Sequence, residues 1–597
     1  MVALSMVLGT PALAAADQGI QVSVTIDSLP DGPGKPATFT ISSTEPKVTI
    51  FRYGWTAVAN EVAATGTTIR SATVTLTVPS YGLNTLYVTA VDDNFHKGYG
   101  SVDFSILTPR EATARWGLES MPGTTREQAL ADQWPGLGGA TPLTGTNIGW
   151  ANGARLIGAE TVDFDGHSSY LSASPAVVDT AGTFAIAAWV RLTDTSVDRT
   201  LASMDGSGLD PLVFGYQRDT NRWSVRMPSK AASPQVEWAE ARSTSVPKPG
   251  LWTHLAAVHN AADQTLKLYV NGSLEGTANG VTTFDDPAGE FRLGRSDSSW
   301  WQGNLRLVQV YDRALTTADF FGRPATDPES GGVERTGFFE PSQVGLWGFS
   351  GASSCYEEST DPLVCNAPDY SPFGRQLGLA QGSFVGFGHV GDGLLLDGTH
   401  WTDDPFDPYY GMATKEYGRS QTNIGEPGSP VWQDSPVLRT DQSFTVSVWA
   451  KLDSAQGEQT VVSQDSTGSS AFQLGYRPAD GGEWVFKIRA DPSGENDAET
   501  TYATVAALNP TGWHHLVGVL DATRSEARLY VDGALAQTVT LDPAWKPWQA
   551  SGPLLVGRAT TSAGPAEWLY GAVDDLELYQ GVMSDGGIGA LYDRQSW

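Results

Sequence analysis

Cysteine and positive charge are scarce in this sequence of 597 residues. It has two cysteines, Cys355 and Cys365, and 37 Lys and Arg residues against 67 Asp and Glu, a formal charge of -30. Such an acidic surface repels the phosphate backbone of nucleic acids, so we expect no nucleic-acid partner. The cysteine spacing in "CYEESTDPLVC" matches neither a CxxC redox motif nor a zinc site. We predict instead that Cys355 and Cys365 form a local disulfide, which is typical of exported proteins.

Long apolar runs are also missing from the body of the chain. No segment after the N-terminus supplies the run of about 18 apolar residues that a membrane-spanning helix needs. The opening "MVALSMVLGTPALAAADQG" combines an apolar run with small residues, like the end of a secretory signal, but lacks the basic front of one. We interpret residues 1–19 as a signal-peptide remnant, the alternative being a disordered apolar N-terminus. The expected location is therefore secreted, without a membrane anchor.

Glycine and proline, in contrast, are frequent along the whole length, with 66 and 35 residues. They favour many strands joined by tight turns, so the predicted class is all-β. Residues 20–107 read as short alternating strands; in "SATVTLTV" the side chains of Val74, Leu76 and Val78 share one face and the threonines between them the other. About six or seven such strands in this length predict a sandwich. The segment "TLYVTAVDDNFHKGYGS" resembles the closing hairpin of a bacterial immunoglobulin-like domain.

One long phrase occurs twice. "WTHLAAVHNAADQTLKLYVNG" at residues 252–272 returns as "WHHLVGVLDATRSEARLYVDG" at residues 513–533. The separation is far beyond the roughly 20 to 50 residues of solenoid repeats, so it indicates a duplicated domain. The order of nine segments repeats with it. We place the two units at residues 110–322 and 341–597, with an acidic linker at 323–340.

The repeated segments also point to a family. The series "F-x-x-x-x-W-(V/A)-(R/K)-L", "W-x-H-L", "L-Y-V-(N/D)-G", "(L/V)-G-R" and "G-x-(L/V)…Y" resembles the laminin G-like jelly-roll domain of the concanavalin A-like lectin and glucanase superfamily. The resemblance implies two curved antiparallel sheets in each unit. The predicted architecture is thus an immunoglobulin-like sandwich followed by two concanavalin A-like jelly-roll sandwiches. Function is less fixed, because this fold hosts lectins, receptor-binding modules, hydrolases and spacers.

A calcium site is implied by the same resemblance. Laminin G-like jelly rolls often hold Ca²⁺ with oxygen ligands from the opening segment and from an acidic pair early in the last strand. Asp574 and Asp575 in "GAVDDLELY" match that pair in the second unit, whereas the first unit has Arg306 and Leu307 there. We therefore predict calcium in the second jelly roll, and a simple solvated strand remains the alternative interpretation of Asp574.

Aromatic side chains in loops are candidates for stacking on sugar rings. Each of them can instead cap a hydrophobic core, and that alternative stays open for every one. The candidates are Trp300, Trp301, Trp401, Trp545 and Trp548. The repeated histidines His254 and His515 are expected to be buried and neutral rather than catalytic.

Known catalytic motifs are not found. Some glycoside hydrolases of this fold carry two glutamates on one strand in an E-x-D-x-x-E pattern, and no such strand occurs here. The acidic segment "DDLELY" of the second unit is the nearest candidate, but its counterpart "RLVQVY" in the first unit has none of these acids. The G-x-S-x-G and H-E-x-x-H motifs of serine and zinc hydrolases are also missing. We predict a secreted, non-catalytic binding or adhesion protein that recognises glycans or extracellular protein partners. The alternatives are a polysaccharide-acting hydrolase and a structural spacer of the cell surface.

Overall fold

The computed structural model describes most of the chain. The described residues are 19–107, 111–132, 141–206, 209–230, 237–281, 289–322, 336–352, 365–380, 383–397, 399–400, 414–415, 417–425, 429–492 and 500–596. Residues 1–18, Cys355 and Trp401 lie outside these ranges. The signal-peptide remnant and the disulfide between Cys355 and Cys365 therefore stay predictions.

The N-terminal unit is an immunoglobulin-like sandwich. Its strands are β1 Ser23–Ser28, β2 Pro36–Ser43, β3 Val48–Gly54, β4 Asn60–Ala63, β5 Arg70–Thr77, β6 Gly82–Asp92 and β7 Lys97–Ile106. One sheet has the order β1-β2-β5 and the other β4-β3-β6-β7. Val74 and Leu76 are buried while Thr73 and Thr75 are exposed, which confirms the predicted alternation.

The first jelly roll consists of two packed antiparallel sheets. Its strands are β8 Ala114–Trp116, β9 Glu119–Ser120, β10 Thr144–Thr146, β11 Gly149–Asn152, β12 Glu160–Asp165, β13 Tyr170–Ala173, β14 Phe184–Leu192, β15 Arg199–Met204, β16 Leu212–Gln217, β17 Arg222–Lys230, β18 Glu237–Arg242, β19 Trp252–Asn260, β20 Thr265–Val270, β21 Ser273–Asn279, β22 Phe291–Leu293 and β23 Gln302–Tyr311. The β15 sheet has the order β10-β13-β22-β15-β16-β17-β18, and the β14 sheet has the order β11-β12-β23-β14-β19-β20-β21.

The second jelly roll repeats this plan with additional short strands. Its strands are β24 Ser342–Trp347, β25 Cys365–Ala367, β26 Gln376–Leu379, β27 Phe384–Phe387, β28 Asp392–Asp397, β29 Thr399–His400, β30 Thr414–Lys415, β31 Gly418–Asn423, β32 Trp432–Asp434, β33 Phe444–Leu452, β34 Gln459–Gln464, β35 Phe472–Arg477, β36 Glu483–Ile488, β37 Thr501–Ala506, β38 His514–Asp521, β39 Glu526–Val531, β40 Ala534–Thr540, β41 Leu554–Val556, β42 Ala559–Thr561, β43 Gly564–Ala566 and β44 Tyr570–Gln580. The β34 sheet has the order β25-β26-β31-β41-β34-β35-β36-β37, and the β33 sheet has the order β27-β28-β44-β33-β38-β39-β40. Strands β41-β34-β35-β36-β37 thus follow the same order as β22-β15-β16-β17-β18.

The repeated hairpin is buried on both faces. In the second copy Leu516 and Leu520 of β38 enter the sandwich core, while Val517 and Val519 pack outward against a separate apolar cluster. That cluster includes Ile588 and other residues of helix α3 (Asp585–Gln595). The side chains of His515, Val517 and Val519 therefore lie beneath helix α3 and outside the core between the sheets.

Helices are few and short. The other helices in the described part of the chain are α1 (Arg126–Leu130), α2 (Thr317–Phe321) and a short 3-10 helix at Ala479–Gly481. No described helix is long and apolar enough to cross a membrane.

The two jelly rolls share an interface. Leu156 and Ala159, which precede β12 of the first jelly roll, belong to the hydrophobic core of the second. Arg375 of the second jelly roll is buried there and donates a hydrogen bond to the carbonyl oxygen of Ile157. A loop of one unit thereby completes the core of the other.

Candidate functional site

A polar surface covers the outer face of the β15 sheet, on the side away from the core. Ser203 Oγ donates to the carbonyl oxygen of Arg295 at 2.8 Å. The second jelly roll repeats this contact, because Ser463 Oγ donates to the carbonyl oxygen of Arg558 at 2.9 Å. In both copies the segment after the "(L/V)-G-R" strand is held across the same sheet face.

A glycine directly before each of these arginines sets the direction of the backbone. Gly294 and Gly557 have φ of 88° and 92°, in the left-handed region that favours glycine. A Cβ at Gly294 would lie 2.4 Å from ring atoms of Phe164, so no larger residue fits without a shift. The backbone turns sharply here and places the following arginine on the outer face.

Each arginine packs against a tyrosine and a tryptophan whose rings also contact each other edge to face. The Arg295 guanidinium carbon is 4.9 Å from the ring centroid of Tyr170 and 4.9 Å from that of Trp300. Strand β13 pairs with β22, with Leu171 opposite Leu293, so Tyr170 comes directly before the paired position. Cation–π contacts of this kind contribute about 0.5 to 2 kcal/mol each.

The second jelly roll contains the same arrangement. The Arg558 guanidinium carbon is 4.5 Å from the ring centroid of Tyr417 and 5.7 Å from that of Trp568. Gly418 is opposite Val556, which gives Tyr417 the register of Tyr170. We call these two clusters the Tyr-Arg-Trp sites.

An acidic group adjoins the first Tyr-Arg-Trp site. Carboxylate oxygens of Asp205, Asp210 and Asp297 lie within 4.8 Å of one another. The Asp297 N–H donates to Asp210 Oδ2 at 2.9 Å, and Asp210 Oδ1 is buried without a hydrogen-bond partner. Burial raises the pKa of Asp210, and the negative charges of Asp297 and Asp205 add to the effect although the Asp297 N–H opposes it.

These three carboxylates fit a hard cation such as Ca²⁺, which prefers oxygen ligands. The orphaned Oδ1 of Asp210 is the observation that supports the fit. Arg292 now neutralises part of the charge, since its guanidinium is 2.6 Å from Asp205 Oδ2 and 3.2 Å from Asp297 Oδ1. A bound cation would have to compete with that arginine.

The second jelly roll has lost most of this acidic group. Asp465, Ser470 and Thr560 take the equivalent positions, and the Thr560 N–H donates to Ser470 Oγ at 2.9 Å just as Asp297 does to Asp210. One carboxylate remains of the three. The two copies share the aromatic and arginine groups but differ in charge.

A buried ion pair lies on the same face of the β34 sheet. Lys487 Nζ is 3.0 Å from Glu567 Oε1, and Glu567 Oε2 accepts a hydrogen bond from Thr460 at 2.7 Å. Burial opposes the charge of Glu567, but Lys487 and the hydrogen bonds outweigh it and lower the pKa of Glu567. These groups are hydrogen-bonded or ion-paired with one another, so they shape this part of the surface.

The predicted calcium ligands Asp574 and Asp575 lie elsewhere, on strand β44. Asp574 is buried; its Oδ2 accepts the N–H groups of His389 at 2.8 Å and Val390 at 3.1 Å, and its Oδ1 accepts that of Asp575 at 2.7 Å. Burial and the negative charge of Asp575 raise the pKa of Asp574 to about 7. Burial and Glu577 raise the pKa of Asp575 to about 6.

This donor pattern does not fit a calcium site, because the Asp574 oxygens already anchor the backbone that joins β27 to β28. Asp574 is not the solvated strand residue of the alternative interpretation either, since it is fully buried. The calcium role of Asp574 and Asp575 stays a prediction without structural support. In the first copy Arg306 takes the equivalent place and pairs with the buried carboxylate of Glu119.

The tryptophan candidates separate into different roles. Trp301 is fully buried and stacks on Trp223 in the core, with ring centroids 6.3 Å apart, so it is not a ligand platform. Trp545 is half-buried against the second core, and Trp548 donates to the carbonyl oxygen of Arg489 at 3.2 Å. Trp300 belongs to a Tyr-Arg-Trp site, and Trp401 lies outside the described residues.

The repeated histidines are buried, as expected. Burial lowers the pKa of His254 to about 3 and of His515 to about 4. His515 Nε2 is 2.8 Å from Ser447 Oγ, and the His254 ring stacks on Phe338 with centroids 4.8 Å apart. Both rings pack between the β sheet and the segment that covers it.

Sequence reasoning did not single out Arg295, Tyr170, Arg558, Tyr417 and Trp568. The "(L/V)-G-R" signature did contain both arginines, and a Trp follows each at the start of the last strand. Tyr170 and Tyr417 could be assigned only after the pairing of β13 with β22 and of β31 with β41 was known.

The fold and these sites define a class: a tandem of antiparallel jelly rolls with an aromatic and arginine cluster on the outer sheet face of each. The family model described as "Concanavalin A-like lectin/glucanases superfamily" matches residues 165–319 and 429–589. Because these two matches cover more than half of the chain, the protein belongs to the concanavalin A-like lectin/glucanase superfamily. No curated protein sequence matches the chain.

Several solved structures share local similarity with the chain. The binding domain of botulinum neurotoxin DC in complex with rat synaptotagmin II is 10% identical, covering 43% of this chain and 52% of the other, with a TM-score of 0.29. Domain 4 of AbnA, a GH43 extracellular arabinanase from Geobacillus stearothermophilus in complex with arabinotriose, is 14% identical, covering 42% and 99%, with a TM-score of 0.28. The Ruminococcus gnavus IT-sialidase CBM40 is 16% identical, covering 26% and 84%, with a TM-score of 0.23. The aligned part spans about half the length of the neurotoxin structure.

Proposed function

We propose that this protein is a non-catalytic glycan-binding protein and that its Tyr-Arg-Trp sites are the sugar-binding surfaces. The observation that carries the proposal is the recurrence of the same three side chains, in the same register, in two jelly rolls whose neighbouring residues have diverged. Two partly exposed aromatic rings beside a guanidinium offer a sugar both a stacking face and hydrogen-bond donors.

The two sites differ in what surrounds them, and we propose that they bind different sugars. The first has the carboxylates of Asp205, Asp210 and Asp297, which can accept hydrogen bonds from hydroxyls or hold Ca²⁺. The second has hydroxyls at two of these three positions. We expect the first site, and not the second, to depend on calcium.

The test is a glycan-array screen of the full chain with and without Ca²⁺, followed by titration calorimetry with each bound glycan. Trp300→Ala and Trp568→Ala should each weaken binding of one glycan class by about tenfold, the loss expected when an aromatic anchor is truncated. Trp432→Ala is the matched control, because Trp432 is also a partly exposed tryptophan of a jelly roll. It should bind every glycan as the unchanged protein does.

Three results would contradict the proposal. Binding that survives both Trp300→Ala and Trp568→Ala would place the sugar elsewhere. Release of shortened sugars from a bound polysaccharide, measured as new reducing ends, would show a hydrolase instead of a binding protein. Binding to no glycan at all would leave an extracellular protein partner or a spacer role as the explanation of the tandem.

A further inference from the structure

A cavity of about 820 Å³ lies between the two jelly rolls, and none of its lining residues belongs to a Tyr-Arg-Trp site. The first jelly roll and the segment that follows it contribute Trp189, Phe321 and Phe339 to its wall. The second contributes Arg524 and Arg594. Its volume lies within the roughly 300 to 1,000 Å³ that is typical of ligand sites.

Direct contacts between the jelly rolls hold this cavity open. The Trp252 N–H donates to Gln442 Oε1 at 3.0 Å, and Gln442 Nε2 donates to the carbonyl oxygen of Gly250 at 3.0 Å. Lys248 Nζ donates to the carbonyl oxygen of Thr523 at 2.9 Å. With both units fixed in this way, the walls are in place before any ligand arrives.

One wall is aromatic and open to solvent. The Phe321 side chain is 65% exposed and stacks on Phe339, with ring centroids 5.7 Å apart and an interplanar angle of 26°. Phe339 in turn meets the edge of Trp189 at 5.7 Å. A large aromatic residue that remains exposed while its neighbours hold it in place is suited to stacking on a sugar ring.

The charge of the lining departs from that of the whole chain. Four arginines and three acids line the cavity, the arginines being Arg155, Arg524, Arg528 and Arg594 and the acids Glu340, Asp521 and Asp585. In the complete sequence, acids outnumber Lys and Arg by 67 to 37. Three of these arginines also pair with acids beside the cavity, Arg155 with Glu119, Arg528 with Glu526 and Arg594 with Glu577. Anion binding here therefore depends on exposed guanidinium donors and not on the net charge of the cavity.

Two of these arginines have donors to spare. The side chains of Arg524 and Arg594 are 60% and 63% exposed. Arg524 lies 3.9 Å from Asp521, and Arg594 lies 2.8 Å from Glu577 and is also hydrogen-bonded to Tyr579. A guanidinium has five N–H donors in a fork that matches carboxylate and sulfate oxygens. These contacts leave several of those donors for a ligand.

We propose that this cavity binds an acidic oligosaccharide, with a sugar ring against Phe321 and its carboxylate or sulfate groups at Arg524 and Arg594. This inference rests on the proposed glycan-binding function and adds a site that exists only where the two jelly rolls meet. Joining them in one chain then creates a binding surface that neither unit has alone.

The experiment is titration calorimetry of the full chain with three probes: tetragalacturonate, a chondroitin sulfate tetrasaccharide and neutral maltotetraose. At least one acidic probe should bind, more weakly at high salt, because exposed charges are screened. Maltotetraose should not occupy the cavity. The two acidic arms distinguish a carboxylate ligand from a sulfate ligand.

The variants Arg524→Gln with Arg594→Gln, and separately Phe321→Ala, should weaken binding of that acidic probe by about tenfold or more. Arg524→Gln alone checks that a loss is not caused by unfolding, because its melting temperature should match that of the unchanged protein. Arg218→Gln is the control, since Arg218 is similarly exposed at 59% and lies outside the cavity.

Failure of this proposal can be told apart from failure of the proposed function. Binding of an acidic probe that is unchanged in the arginine and Phe321 variants but lost in Trp300→Ala or Trp568→Ala would overturn the cavity site and keep the glycan-binding function. Binding of neutral glycans only would likewise overturn the cavity site and keep the glycan-binding function. Binding of no probe here and of no glycan on the array would overturn both.

Discussion

Gln442 of the second jelly roll accepts the main-chain N–H of Trp252 in the first at 3.0 Å. The residues are 190 positions apart. The Trp252 indole N–H also donates to the carbonyl oxygen of Ala154 at 2.9 Å, in the loop that carries Leu156. These contacts pack the two jelly rolls against each other, so they are not independent domains joined by a flexible linker. This arrangement can be tested through stability.

Leu156→Ala should lower the free energy of unfolding of the second jelly roll by about 2 to 4 kcal/mol, because it leaves a cavity in that core. Leu156 is 1% exposed and packs there although it belongs to the first unit in sequence. Denaturant unfolding of the full chain measures the effect. Leu274→Ala, at a leucine that is half exposed, is the control and should change stability little. An equal loss in both variants would show that the interface contributes nothing.

Gly294→Ala should destabilise the first jelly roll more than Gly250→Ala. Both glycines have positive φ, 88° and 85°, so alanine at either costs about 1 kcal/mol in backbone strain. Only at Gly294 would the new Cβ also meet the Phe164 ring, at 2.4 Å, while nothing lies within 4 Å at Gly250. We expect an additional loss of about 1 to 3 kcal/mol for Gly294→Ala, measured as thermal stability. Equal losses would mean that the ring moves freely aside.

Stability should fall between about pH 5 and pH 8 through Asp574. Its pKa is raised to about 7 in the folded protein, against an ordinary value near 4. The folded state therefore keeps a proton that the unfolded chain has released, and this contribution is lost as the pH rises through 7. Asp574→Asn should reduce the difference in unfolding free energy between pH 5 and pH 8 by about 1 kcal/mol or more.

The comparison of pH values needs a control, because other groups titrate in the same range. Asp219→Asn serves, since the Asp219 side chain is 81% exposed. Its pH dependence should follow that of the unchanged protein. A pH dependence in Asp574→Asn that equals the control would show that Asp574 is ionised in the folded state at pH 5.

Calcium should raise the melting temperature of the full chain through the first jelly roll. The carboxylates of Asp205, Asp210 and Asp297 converge there, whereas Asp574 is occupied by backbone N–H groups. A saturable rise should therefore occur in the unchanged protein and in Asp574→Asn but not in Asp210→Asn. A rise that Asp574→Asn loses and Asp210→Asn keeps would support the calcium site that the sequence predicts at Asp574. No rise in any of the three proteins would remove calcium from the proposed function.

Much of the fold could be predicted because it is encoded in local patterns. The alternation around Val74 and Leu76 specifies a strand within a few residues. The dipeptides Asn271-Gly272 and Asp532-Gly533, which favour tight turns, do the same for the repeated hairpin. Repetition of nine segments in one order then indicates two copies of one sandwich. The superfamily was recognisable for the same reason.

The candidate sites could be predicted only in part. Trp300 was a candidate, but Trp301 beside it, in the segment just before strand β23, is a fully buried core residue. Asp574 and Asp575 were predicted as calcium ligands because they match the acidic pair that the laminin G-like resemblance implies early in the last strand. The two N–H groups that contact Asp574 belong to the turn after β27, 185 and 184 residues earlier in the chain.

The sequence by itself determined the all-β class, the tandem of jelly rolls and the position of each arginine after its glycine, because these depend on residues that are close in the chain. Only the tertiary structure decided which tyrosine and tryptophan contact each arginine, which aspartates converge and where the two jelly rolls meet. Those relationships depend on strand register and on the packing of one unit against another. Both are set by contacts between residues that are distant in sequence, and no local pattern records them.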